Sequence, residues 1–191
     1  MNIAGKLGAV VILATLSPLV PPAPPVHATP RYVGADKCKI CHNRKDQVNQ
    51  HEIWSHSGHA KAYATLATDK AKELAAKAGV KGDPQKAAEC LECHVTGFGL
   101  DTSHFAQAFV RENGVQCEAC HGPGSDYKSP SVMSTTKYAS SREEQHKLAL
   151  NAGLMMPDEK TCLKCHNKRS PAFKGFVFKD YYDRIKHQYK R

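Results

Sequence analysis

The chain has 191 residues, with 27 lysines and arginines against 18 acids, a net charge of +9, 7% aromatic residues and one tryptophan. That length suits a single domain, and the charges are interspersed (KDQ, DKAKE, SREEQHK), which marks a mixed solvated surface rather than a nucleic-acid or membrane-surface binder. Outside the N-terminal segment the apolar runs are only two or three residues long. Side chains alone therefore do not fill an interior of this size.

In chain order, residues 1–28 carry one lysine, no acid, an apolar run from Leu7 to Leu16 and a small-residue end at Ala28. They read as a cleaved secretory signal peptide, the alternative being an uncleaved anchor. Pro18 and the prolines from Pro21 to Pro25 keep the run short of the roughly 20 residues that span a bilayer. Residues 29–191 are expected to form one domain, periplasmic or extracellular.

The stretch SGHAKAYATLATDKAKELAAKAG predicts a helix from a Ser57 cap to a Gly79 stop. GVKGDPQKAAE reads as a linker, LDTSHFAQAFVRENG as a short hairpin at its Asn-Gly, and SDYKSPSVMSTTKYASS as a polar loop. SREEQHKLALNAG predicts a helix ending at Gly153. KRSPAFKGFVFKD, with Phe173, Phe176 and Phe178, leads into a last helix in KDYYDRIKHQYK.

All eight cysteines fall in four copies of Cys-x-x-Cys-His: Cys38, Cys41 and His42; Cys90, Cys93 and His94; Cys117, Cys120 and His121; Cys162, Cys165 and His166. A disulfide framework leaves every histidine unexplained, because a pair bridged to itself constrains the chain little. Zinc ribbons need no histidine at the fifth place, and a redox dithiol is expected once, beside a strand and helix. Covalent haem c uses every residue. On a helical turn, residues i and i+3 share a face and present both thiols to one porphyrin edge, and the next residue places an imidazole under the iron. Four covalently attached haem c groups are therefore expected, and porphyrins would form the missing apolar interior. Their propionates would offset much of the basic excess.

The sixth ligands decide between a wire and a catalyst. Six histidines remain outside the motifs and the leader: His51, His56, His59, His104, His146 and His187. His59, His187 and His146 are the leading candidates, each on or beside a predicted helix; Ala60, Ala62 and Ala64 leave room for a flat ring near His59, and Tyr181 and Tyr182 precede His187.

The segments GADKCKICH, IWSHSGHAKAYATL, CLECHVTGFG, GVQCEACHGPGS and IKHQYK together resemble the multihaem cytochrome c family that includes the tetrahaem cytochrome accepting electrons from hydroxylamine oxidoreductase in ammonia oxidisers. The resemblance implies a mainly α, loop-rich compact fold built around stacked haems. It implies that His59 and His187 are distal ligands and that the haem at His94, followed by VTGFG, lacks a strong sixth ligand. In the family a histidine shortly after Gly-Pro-Gly ligates another haem, whereas this chain continues SDYKSPSVM, with Tyr127 in that region. His146, Met133, Tyr127 or an open iron are the alternatives there.

The function expected is an exported one-electron carrier between redox partner proteins, touching a membrane only peripherally and binding no nucleic acid. Two alternatives stand beside it. One is an enzyme reducing a small nitrogen oxide or peroxide at an open haem iron; the other is a subunit of a haem filament or larger oxidoreductase.

Overall fold

The computed structural model describes residues 29–45, 48–134 and 140–187. The signal-peptide reading of 1–28 lies outside them, as does the end of the C-terminal segment. Ten short helices carry the described chain: α1 (Ala35–His42), α2 (Gln50–His56), α3 (Ala62–Thr65), α4 (Asp69–Lys77), α5 (Ala88–His94), α6 (Cys117–His121), α7 (Pro130–Met133), α8 (Arg142–Asn151), α9 (Glu159–Leu163) and α10 (Phe178–Ile185). Long irregular loops join them, and the β-structure among the described residues is an isolated parallel bridge between Tyr32 and Phe105. No helix among these residues is long and apolar enough to cross a membrane.

Two expectations about local structure are corrected. The long helix from Ser57 to Gly79 is broken into α3 and α4. Thr68 adopts an extended conformation, and its hydroxyl accepts the Ala71 N–H as an N-cap, which starts a second helix in place of continuing the first. His59 consequently lies in the turn before α3. The segment 100–114 forms two 3-10 turns, not a hairpin. Its Phe105 and Phe109 rings pack 4.7 Å apart and meet Tyr32, whose backbone bonds to His104 and Ala106 at 2.8 Å.

The apolar side chains fully buried among the described residues are small or few: Val33, Ala35, Leu66, Ala75, Val95, Tyr127 and Ala149. A polar strut holds the centre. Glu118, 1% exposed, accepts the N–H groups of Val33 (2.8 Å), Gly34 (2.7 Å) and Gly124 (2.6 Å). Burial raises its carboxyl above the usual range, against the opposing pull of those N–H groups. Gln116, equally buried, accepts the Ala35 N–H at 2.8 Å and donates to the Val110 carbonyl at 2.9 Å. The start of the domain, α6 and the loop after it are thus tied through two side chains. Each such buried bond contributes about 1 kcal/mol net, and a stranded N–H costs about 1–3 kcal/mol.

Candidate haem sites

Each motif lies on a helical end, the geometry its chemistry needs. His42, His94 and His121 are the last residues of α1, α5 and α6. The fourth motif runs off α9 into a turn, where the His166 N–H still bonds the Cys162 carbonyl at 3.0 Å. All eight cysteines are unbridged. Among the described residues no group of three or more His, Cys, Asp or Glu side chains is arranged to hold a metal ion. Burial raises the thiols of Cys90, Cys120, Cys162 and Cys165, away from the depressed range of reactive cysteines. Burial and the charge of Cys162 push Cys120 up to about 11, and burial with the neighbouring Cys93 pushes Cys165 up to about 12. In the Cys38 and Cys117 pair, a mutual hydrogen bond holds the proton on Cys38 and pulls Cys117 down.

The four sites adjoin one another in a definite order. Cys38 bonds Cys117, Cys120 lies within electrostatic reach of Cys162, and Cys165 bonds Cys93. In space the motifs therefore run first, third, fourth, second. A fork from Arg169 to both oxygens of Glu92, at 2.9 Å each, ties the last two together on the surface.

The first and third motifs share a cavity of about 200 Å³ with largely apolar walls. Cys38, His42, Cys117, Cys120, His121 and His187 line it. The glycine after the third motif is constrained: Gly122 has φ +75°, and a Cβ there would meet the Met155 sulfur at 3.1 Å. The Gly-Pro-Gly turn lets the chain leave α6 sharply while Gly124 feeds its N–H to Glu118.

The imidazoles carry the decisive geometry. His59 faces His166 with ring centroids 6.0 Å apart, and His121 faces His187 at 5.8 Å. An iron held about 2 Å from the near nitrogen of each of two imidazoles separates their centroids by about 6 Å. Both pairs have that separation. Burial, and then the partner imidazole, lowers the pKa of His59; burial also lowers His166 and His121, leaving the neutral rings that ligate metal. The second nitrogen is fixed as ligating histidines require. His121 Nδ1 meets the Met155 carbonyl at 2.9 Å, His187 Nδ1 the Ile185 carbonyl at 2.9 Å, and His94 Nδ1 the Ala62 carbonyl at 2.7 Å.

His59 is positioned by its backbone. Its carbonyl accepts the Val115 N–H at 3.0 Å, and the Trp54 indole donates to the Val115 carbonyl at 2.8 Å. Gly114, φ +75°, is required there, since a Cβ would stand 2.7 Å from the His59 carbonyl oxygen. Aromatic rings wall the fourth site: Phe176 stacks on His166 at 5.1 Å and Tyr181 meets its edge at 5.4 Å.

His42 and His94 make no ring-to-ring pair like these among the described residues, although His42 lies within electrostatic reach of His187 and shares the cavity with His51. The structure places His146 exposed on α8, and the cavity walls do not include it. His56 is a surface residue bonded to its own helix at the Glu52 carbonyl, 2.9 Å. His104 lies 3.2 Å from Asp101 beside the Tyr32 bridge. His51, 9% exposed, is buried beside Trp54 with Nε2 unpartnered, and His42 Nδ1 is likewise a buried nitrogen without a bond. Orphaned imidazole nitrogens lining an apolar cleft fit a metal-bearing group better than a packed protein core. Sequence reasoning missed the Glu118 and Gln116 strut altogether.

The comparisons agree with this geometry. The family described as "Cytochrome c554 and c-prime" matches residues 37–122. Cytochrome c-554 of Nitrosomonas europaea is 31% identical over 151 residues, covering 75% of this chain and 61% of the relative's own length. The solved structure of reduced cytochrome c554 from the same organism superposes with a TM-score of 0.50 at 26% identity, covering 84% of this chain and 79% of that one. In motifs, family match and fold alike, the chain is a multihaem c-type cytochrome that resembles cytochrome c-554.

Proposed function

We propose that residues 29–191 are a single exported domain that carries electrons one at a time between redox partner proteins. In this reading each motif's two cysteines anchor one haem and its histidine is the proximal ligand, while His59 and His187 are the distal ligands of the fourth and third haems. The 5.8 and 6.0 Å spacing of the two imidazole pairs carries the reading. When bound, the haems supply the one-electron chemistry.

The chain's own residues do the rest. The Met155, Ile185 and Ala62 carbonyls orient three imidazoles and raise their basicity as ligands. Trp54, Val115 and Gly114 hold His59 in place. Adjacent motifs bring four redox groups into one continuous file, first to third to fourth to second, with an end at the His42 site and another at the His94 site. Two ends suit a donor and an acceptor that dock at different faces.

The test is the holoprotein matured in an export compartment. Mass spectrometry is expected to show the chain without residues 1–28 and with four haems, and reductive titration to take up four electrons in separate steps. Retention of the leader, or fewer haems, overturns the assignment. One observation supports a second reading at the ends of the file: His42 and His94 lack a facing imidazole. An iron there that is five-coordinate binds a small molecule such as nitric oxide or cyanide. Ferric spectra unchanged by either ligand would leave the carrier reading alone.

A further inference from the structure

Resting on the haem assignment above, we propose that Met133 supplies the sixth ligand to the haem anchored by Cys38, Cys41 and His42. That site then has histidine and methionine ligands where the third and fourth have two histidines.

Tyr127, His51 and Met133 line the cavity beside His42. Tyr127 occupies the region after Gly-Pro-Gly and is 5% exposed, but its hydroxyl already donates to the Gly122 carbonyl at 2.8 Å. His51 sits on α2, which packs against α1 and whose Gln50 reaches the His42 ring. His51 lines the same cavity, buried and with Nε2 unpartnered, and is the rival ligand that the His51→Ala variant below tests.

Met133 ends α7 on the wall of the same cavity. Pro130 starts that short helix, which packs along α8. From α8 the Gln145 amide donates to the Met133 sulfur at 3.4 Å. A thioether has two lone pairs. Gln145 engages one, which fixes the side chain and leaves the other for an iron. A thioether ligand raises a haem's potential relative to a second imidazole. The file of haems would therefore have its most oxidising site at the His42 end, a terminus where electrons collect.

The experiment uses the four-haem holoprotein, with haem content checked by mass. In the wild type, the ferric spectrum is expected to show the long-wavelength charge-transfer band of sulfur-ligated low-spin haem, and the reduced protein a ring-current-shifted methionine methyl resonance. Met133→Ala is expected to abolish both and make one further haem high-spin and cyanide-binding. Met133→His should restore the low-spin state without the band and lower that haem's potential. Gln145→Leu should shift the same haem's potential and leave the other three unchanged. Absence of the band in the wild type, or its survival in Met133→Ala, overturns the proposal, as does a new high-spin haem in His51→Ala with none in Met133→Ala. Fewer than four haems in the wild type would instead overturn the haem assignment beneath it.

Discussion

Two of the four motif histidines face another imidazole at nearly the same distance, and two do not. The paired ones, His121 and His166, lie at the middle of the file of motifs; the unpaired ones, His42 and His94, lie at its ends. The contrast extends to support. His121 meets His187 from just beyond α10, and His166 meets His59 from a turn pinned by Trp54, Val115 and Gly114. Distant segments thus converge on the middle, while the ends carry no such pairing. On the proposed reading, paired imidazoles at the middle suit relay, and the differing ends suit entry, exit or binding.

The largest expected effect comes from the middle. Cys117→Ala with Cys120→Ala removes the group that fills the cavity shared by the first and third motifs. We expect loss of folded holoprotein, seen as proteolysis in the export compartment, whereas Cys90→Ala with Cys93→Ala at an end should leave a folded three-haem protein by mass. Equal tolerance of both would erase the distinction. Next, Glu118→Leu strands three backbone N–H groups and should cost about 3 kcal/mol or more in denaturant unfolding. Then His59→Ala and His187→Ala should each convert one haem from low to high spin by electron paramagnetic resonance with the haem count unchanged. His146→Ala should convert none, since that side chain stands in solvent on α8.

What was legible in the sequence follows from how local each constraint is. Haem attachment is written in five consecutive residues, because two thiols and an imidazole must lie on one helical turn; Cys38 to His42 needs nothing distant. His59 and His187 stood out as candidates, but their pairing with His166 and His121 depends on chain returns over more than 60 residues and was not readable. The Asn113-Gly114 dipeptide pointed to a hairpin, whereas the glycine is needed to clear the His59 carbonyl. Glu118 carries no signal of its own in the sequence beyond its place between two cysteines. Its burial depends on where residues 33 and 34 pass, and no local pattern announces that.

The smallest effect sharpens how His187 is delivered. Asp183, in the last turn of α10, accepts from Lys186 at 2.6 Å and from Lys179 at 2.9 Å. Those bonds pull its carboxyl from 3.8 down to about 2. A carboxyl lowered in the folded state contributes stability that is present above its unfolded value and is lost as pH falls through the folded one. The window here is pH 4 down to about 2. The group is fully exposed, so the contribution is modest and screened by salt. Asp183→Asn should therefore lose a little α10 helicity at neutral pH. Below about pH 2 the wild type should match it, read as the difference in far-ultraviolet circular dichroism between the two proteins. If the difference persists unchanged at low pH, the tie does not act through the Asp183 charge, and the delivery of His187 rests on its Ile185 carbonyl bond and on packing alone.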